Sequence, residues 1–286
     1  MMILKLISRL PFPLLYLLSD FLYFMARFVF RYRNGVIMKN LRNSFPEKTE
    51  KELISIRNGF YRHLGDVVVE SLKTLTISKE ALRKRVKLVN PEVITAFYDQ
   101  GQSVITATAH QGNWEWMLVS CSEQLPFYVD VVYQQLASPF FDQLMKQLRS
   151  RFGAQPIEKK SSFRTMVLHR DKVYITGMAA DQKTTNLQHR YETIFLNQPT
   201  AFYTGPERVA HKLSHAVLFV NIRRVKRGFY EIIFHQLDAP PLRKEENYIT
   251  EKYVRLVEKS IRERPTEYLW SHNRWKKTRQ TQITSA

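Results

Sequence analysis

The stretch Ser103-Val104-Ile105-Thr106-Ala107-Thr108-Ala109-His110-Gln111-Gly112-Asn113-Trp114-Glu115 decides how this chain folds. Residues Ser103 to Ala109 are small or β-branched and uncharged, which suits a strand buried on both faces rather than a half-exposed one. The strand ends at His110, and a helix begins at about Trp114. Residues five apart on one helix sit about 140° apart at 3.6 residues per turn, so His110 and Glu115 cannot share a helix face. The segment must bend at Gly112, leaving His110 at the end of the strand and Glu115 in the first turn of the helix, where the helix dipole favours a carboxylate. From there the carboxylate is expected to reach back to one imidazole nitrogen and fix its tautomer. The other nitrogen can then accept a proton from a substrate hydroxyl. On spacing alone, a loop histidine beside an ordinary first-turn acid is an equal reading; the buried-strand context favours a catalytic strand-to-helix turn.

Outward from this turn the pattern alternates. A strand is expected at Tyr128 to Tyr133, a helix from Pro139 to about Arg151, and a strand from Val173 to Ala179. This order predicts an α/β domain with a largely parallel central sheet flanked by helices, with its site at the carboxyl ends of the strands. Upstream, Thr49 and Glu52 have the spacing of a capping box ahead of an amphipathic helix that runs to about Leu75. Ser78 to Val89 reads as a short charged helix. Downstream, a helix from Pro206 to Leu213 precedes two apolar runs, Ala216–Ile222 and Tyr230–Phe234, which the Lys226-Arg227-Gly228 turn joins as a hairpin; a last helix spans Thr250 to Arg262.

Composition narrows the classes of function. The 286-residue chain carries 44 Lys plus Arg against 26 Asp plus Glu, a formal net charge of +18, so its field attracts anionic partners. Phospholipid headgroups, nucleic acid and an acidic carrier protein all qualify. The single cysteine, Cys121, excludes an intramolecular disulfide framework and a Cys-rich zinc site. From Ile3 to Phe30 the chain is mostly apolar and approaches the roughly 20 residues of a bilayer-spanning helix, although Lys5, Arg9, Pro11, Pro13, Asp20 and Arg27 interrupt it. The basic residues that follow place the bulk of the protein on the cytoplasmic side. Residues 1–32 are therefore read as a membrane anchor, either a marginal span or an interfacial helix, residues 33–279 as one catalytic domain, and residues 280–286 as a disordered tail.

The motifs, taken in order, resemble the bacterial lipid A biosynthesis lauroyl/myristoyl acyltransferase family, a branch of the glycerolipid acyltransferases. Its signature is a His, four residues, then Asp or Glu, matched by His110 and Glu115. Asn40-Leu41 with Phe45-Pro46-Glu47, Asp181-Gln182, Thr204-Gly205-Pro206-Glu207 and the Leu269 to Lys276 segment resemble further family motifs, so that the likeness spans roughly residues 1 to 279. The resemblance implies a glycerolipid acyltransferase-like fold and acyl transfer from an acyl carrier protein, or less often coenzyme A, to a lipid hydroxyl at the cytoplasmic face of the inner membrane. It implies a lipid A precursor as acceptor, His110 as general base and Glu115 as its orienting partner. An aminolipid such as an ornithine or glycine lipid, or lysophosphatidic acid, is a competing acceptor.

Attack is expected to be direct, without an acyl-enzyme: no G-x-S-x-G elbow surrounds Ser120, Cys121 and Ser122. Arg149, Arg151 and Arg164 are candidates for phosphate binding through paired hydrogen bonds, against the alternative of a solvated basic face. Asp181 either orients substrate or caps a turn, with Gln182 beside it, and His272 and Arg274 are candidates to complete the site. The family's basic residue after the second-strand tyrosine is replaced here by Gln134 and Gln135, and Asn273 stands where an arginine is common. No cofactor is expected beyond the acyl thioester co-substrate. The histidines show no metal-ligand spacing, so no metal is assigned. A nucleic-acid-binding reading rests on charge and aromatics alone, with no recognised module and no use for the apolar N-terminus.

Overall fold

The computed structural model describes residues 1–184 and 188–276. The expected tail at 280–286, and the end of the expected domain at 277–279, lie outside the described residues. Eleven α-helices are present among the described residues: α1 Met2–Arg9, α2 Phe12–Phe24, α3 Asn34–Ser44, α4 Glu50–Lys73, α5 Lys79–Arg85, α6 Glu92–Asp99, α7 Trp114–Gln124, α8 Pro139–Arg149, α9 Ser162–Leu168, α10 Gly205–Leu213 and α11 Tyr248–Glu263. The strands are β1 Val86–Leu88, β2 Val104–Thr108, β3 Tyr128–Tyr133, β4 Gln155–Glu158, β5 Tyr174–Ala179, β6 Arg190–Phe195, β7 Gln198–Tyr203, β8 Ala216–Lys226 and β9 Phe229–Asp238.

Seven strands form one sheet in the order β1-β9-β8-β2-β5-β3-β4. All neighbours are parallel except β8 and β9, the expected hairpin. The fold is thus α/β, with a largely parallel sheet between two layers of helices. One core packs Ile105, Ala107 and Phe219 against α3, α4 and α11; the other packs Val104, Leu218 and Ile222 against α5, α6 and α7. Val104 to Ala107 are all buried, as a strand covered on both faces requires.

The capping box at the start of α4 forms as its spacing predicts, with the Thr49 N–H donating to Glu52 at 2.8 Å and the Glu52 N–H donating to the Thr49 hydroxyl at 3.3 Å. The expected helix from Ser78 to Val89 instead stops at Arg85, because Val86 is fully buried and pairs in parallel with Tyr230. Strand β4 and the β6–β7 hairpin are among the elements not expected. Strand β4 is an edge strand with one buried side chain, Ile157, and the β6–β7 hairpin turns on Leu196 and Asn197 with φ of 50° and 61°. A two-residue turn with both φ positive is the form that suits strand twist, but Leu-Asn lacks the Asn-Gly signature that announces it.

The N-terminal segment is docked rather than free. Leu15 and Ser19 of α2 are fully buried, the Ser19 hydroxyl donates to Asp66 at 2.7 Å, and Asp20 pairs with Arg227 at 2.7 Å. The opposite face exposes Leu14, Leu17, Phe21 and Phe24. Phe12–Val29 is 18 residues of helix, long and apolar enough by length and composition to cross a membrane.

Candidate active site

Strand β2 delivers His110 to the carboxyl edge of the sheet. The turn that follows is fixed from several sides. The His110 carbonyl accepts from the Leu269 N–H at 3.0 Å, and the Gly112 N–H donates to the Glu267 carbonyl at 3.0 Å. Gly112 has φ +57°, and a Cβ there would lie 2.6 Å from the Ile222 carbonyl oxygen, so both conformation and space demand glycine. Asn113 then caps α7, its side-chain oxygen accepting from the Trp116 N–H at 2.9 Å.

The imidazole partner is not the one the spacing suggested. His110 Nδ1 lies 2.7 Å from Asp181 Oδ1, while Glu115 turns the other way and takes a two-pronged ion pair from Arg149, with Nε at 2.9 Å and Nη2 at 2.7 Å. The parallel register explains the first contact: Thr108 lies opposite Ala179, so two residues further on His110 lies opposite Asp181. The second follows from chemistry, since a carboxylate beside a permanently charged, fork-shaped guanidinium pairs with it in preference to a titrating ring. Trp114 joins the two halves, its indole N–H donating to Glu115 at 3.1 Å and its ring standing edge-on to His110 at 5.5 Å.

Because the Asp181 carboxyl is held below the usual range it carries no proton at neutral pH, so Nδ1 is the protonated nitrogen and donates to it. Nε2 is left for the cavity that His110 lines. Burial works against the imidazolium, but the Asp181 charge, the hydrogen bond to it and the nearby Glu115 charge together overcome that, and the His110 pKa lies above its ordinary 6.5. Burial likewise opposes ionisation of Asp181, yet His110 and the buried Arg274 hold its carboxyl below the usual range.

A cavity of about 730 Å³ opens from this turn. It runs along the sheet face under α7, past Thr106, Val129 and Ile175 to Ile94, Cys121 and Phe234, so its walls are chiefly apolar. Its polar lining includes His110, Glu115, Arg149, Lys146, Lys159 and Gln182. Gln134 and Gln135, which replace the family's basic residue, line it too. Cys121 is buried, and burial pushes its thiol up to about 12, so it is no thiolate at neutral pH.

The other residues singled out in the sequence divide. Arg149 and Gln182 line the cavity. Arg151 does not: its guanidinium donates to the Ile77 carbonyl at 2.9 Å and lies over Phe152. Arg164 is exposed on α9, also outside the cavity lining. His272 and Arg274 stand behind the pair. His272 Nε2 accepts from the Lys183 N–H at 3.2 Å, and Arg274 donates to the Ala201 carbonyl at 2.6 Å beneath the Phe202 ring. Asn40 ties the N-terminal motif to the C-terminal one through the Trp270 and His272 carbonyls at 2.9 and 3.0 Å. Among the described residues no group of three or more His, Cys, Asp or Glu side chains is disposed to hold a metal ion.

The family described as bacterial lipid A biosynthesis acyltransferase matches residues 1–277. The lipid A biosynthesis lauroyltransferase of Escherichia coli (strain K12) is 23% identical over 278 residues, covering 96% of this chain and 89% of that protein. With the family matched over nearly its full length, the chain belongs to the bacterial lipid A biosynthesis acyltransferases.

Proposed function

We propose that the protein transfers a fatty acyl chain from an acyl thioester, carried by acyl carrier protein or coenzyme A, to a hydroxyl of a lipid A precursor, with His110 as general base. The observation that carries this reading is the imidazole held at Nδ1 by a buried carboxylate, with its other nitrogen left to an apolar cavity that also holds a guanidinium. Nε2 takes the proton of the acceptor hydroxyl as its oxygen attacks the thioester carbonyl. The tetrahedral intermediate then expels the thiolate, which recovers that proton from the imidazolium. Asp181 keeps the ring in its working tautomer and stabilises its charged form, the part assigned from sequence to Glu115. Glu115 instead holds Arg149 where a guanidinium can stabilise the developing oxyanion or bind an acceptor phosphate. The acyl chain occupies the apolar length of the cavity.

The exposed face of α2 suits a helix lying in the interface of the inner membrane on the cytoplasmic side. Latched through Ser19 and Asp20 to the domain, α2 would have to abandon both ion-pair and hydrogen-bond partners to stand across a bilayer. Basic residues at the cavity, Lys146 and Lys159 among them, suit an acidic carrier protein.

The test is to incubate purified protein with acyl carrier protein loaded with a fatty acid, or with acyl-coenzyme A, and a lipid A precursor, an ornithine lipid or lysophosphatidic acid in parallel. Mass spectrometry should find the lipid A precursor gaining one acyl chain. Acylation of one of the other two lipids alone would replace the acceptor, and transfer to none would end the reading.

A further inference from the structure

The acyl-transfer reading leaves several buried carboxyls without a task, Glu70 among them. Glu70, in the last turns of α4, is 1% exposed and touches no cation. Its Oε1 accepts from the Tyr16 hydroxyl of α2 at 2.9 Å; its Oε2 accepts from the Asn113 side-chain amide at 2.7 Å and from the Tyr230 hydroxyl at 2.7 Å. Asn113, itself fully buried, is thereby gripped at both ends, its oxygen by the α7 N-terminus and its nitrogen by Glu70. It lies three residues from His110, across Gly112, where an added Cβ would lie 2.6 Å from the Ile222 carbonyl oxygen.

Packing does not require this arrangement. An apolar side chain could fill the same volume without the desolvation cost of a buried carboxyl, provided that Asn113, Tyr230 and Tyr16 were replaced by apolar partners as well. Burial here raises the Glu70 pKa to about 7, although the hydrogen bonds from Tyr230, Asn113 and Tyr16 pull the other way. What the carboxylate adds is direction: it is an acceptor for three neutral donors arriving from α2, from β9 and from the His110 turn.

We propose that Glu70 is a positioning residue for the transfer reaction, a shared acceptor through which the seated α2 helix and the Asn113 cap together fix the turn that carries His110. This rests on the acyl-transfer reading for its kinetic consequence, but not for its structural one. A misplacement of about 1 Å in a catalytic group costs on the order of 10²-fold in rate, so small changes at Asn113 reach the chemistry.

The test exchanges donor and acceptor. Glu70→Gln alone leaves one acceptor oxygen where there were two and turns an N–H donor on either Tyr16 or the Asn113 and Tyr230 donors, and Asn113→Asp alone places two carboxyl groups face to face. Together, Gln at 70 donates to Asp at 113, which still caps α7. Each single variant should lower kcat at least roughly tenfold with KM for the acyl donor held within about twofold, and the double variant should recover most of that loss. Tyr16→Phe, which cuts only the α2 arm and keeps the ring, should cost about two- to fivefold, on the scale of one neutral hydrogen bond. The His110 ring titration, followed by NMR of ¹³C-labelled histidine and assigned with His110→Ala, should move towards the ordinary histidine value in both single variants and return in the double.

Losses that multiply in the double variant, or an unchanged kcat and an unchanged His110 titration in the singles, would overturn the proposal. Wild-type protein that transfers no acyl chain would end the functional reading alone, and the titration would still decide whether Glu70 fixes the turn. If neither single variant folds, the double variant and Tyr16→Phe carry the decision.

Discussion

Among the described residues two histidine–aspartate pairs share nearly the same geometry. His110 Nδ1 meets Asp181 at 2.7 Å, and His169 Nδ1 meets Asp130 at 2.8 Å; in both the carboxylate is buried and the ring about one-quarter to one-fifth exposed. Their surroundings differ. His110 ends β2 at the carboxyl edge of the sheet and lines the 730 Å³ cavity beside Arg149. His169 follows α9, stands edge-on to Tyr128 and Tyr174, and lines no described cavity. A hydrogen-bonded imidazole is therefore not a site in itself; what distinguishes the first pair is a place for reactants. The carboxylates diverge as well. Asp181 is held below the usual range against burial by His110 and Arg274, whereas burial raises Asp130 despite its bond to His169, and one Asp130 oxygen has no hydrogen-bond partner.

The sharpest way to break this contrast is to remove each ring. His110→Ala should slow acyl transfer by roughly 10²–10⁴-fold, the range of general-base catalysis, at a yield of folded protein near that of wild type. His169→Ala should leave turnover per folded molecule within about threefold, since surface-side losses away from the chemistry act through stability. Comparable losses in both would show that the cavity does not decide which pair reacts.

Asp181→Asn should lower kcat by roughly 10²-fold, the scale of a misoriented catalytic group, and should also move the pH profile. The base must be unprotonated, so kcat/KM rises with pH through the His110 pKa, which Asp181 holds above 6.5. Removing that charge leaves burial opposed only by the Glu115 charge, and the rising limb should shift to lower pH. Asp130→Asn should leave the limb in place. At the cavity, Arg149→Lys keeps the charge but loses the fork and should cost about tenfold, one charge-assisted hydrogen bond, while the exposed Arg164→Ala should stay within about twofold.

Much of the fold around the first pair was legible in the sequence alone. The uncharged β-branched run to Ala109 fixed β2, Gly112 fixed the bend, and the alternation downstream fixed an α/β sheet, because each depends on local composition and period. What the sequence withheld was adjacency. His110 and Asp181 are 71 residues apart, and nothing local states that β2 lies between β8 and β5; once that order is known, the register Thr108 opposite Ala179 sets the pair face to face. The same lack made Glu115 look like the nearest carboxylate, since Arg149, which captures it, arrives on α8 from 34 residues away. The seating of α2 was hidden for a related reason: Asp20 reads as an interruption of an apolar run, and Tyr16 and Ser19 draw no notice, until Arg227, Glu70 and Asp66 supply their partners.

The smallest expected effect is one of sign. A carboxyl whose folded pKa lies below its unfolded value adds stability that is present above the ordinary range and is lost as pH falls through the folded value; Asp181 is of this kind. A carboxyl whose folded pKa is raised favours the fold most when protonated, and that contribution is lost as pH rises through the raised value; Asp130 is of this kind. At neutral pH the two asparagine substitutions should therefore move Tm in opposite directions. Asp181→Asn removes a charge that His110 and Arg274 compensate and should lower Tm, whereas Asp130→Asn removes an ionised group with one unpartnered oxygen and should leave Tm unchanged or raise it. Differential scanning fluorimetry of the two variants at pH 7, and again well below the ordinary carboxylate range, checks both sign and trend: the Asp181→Asn deficit should persist while His110 gains its proton and shrink only as pH falls through the lowered Asp181 value. A deficit of the same size in both variants at both pH values would mean that the two carboxylates sit in equivalent fields, and that Arg274 does not reach Asp181.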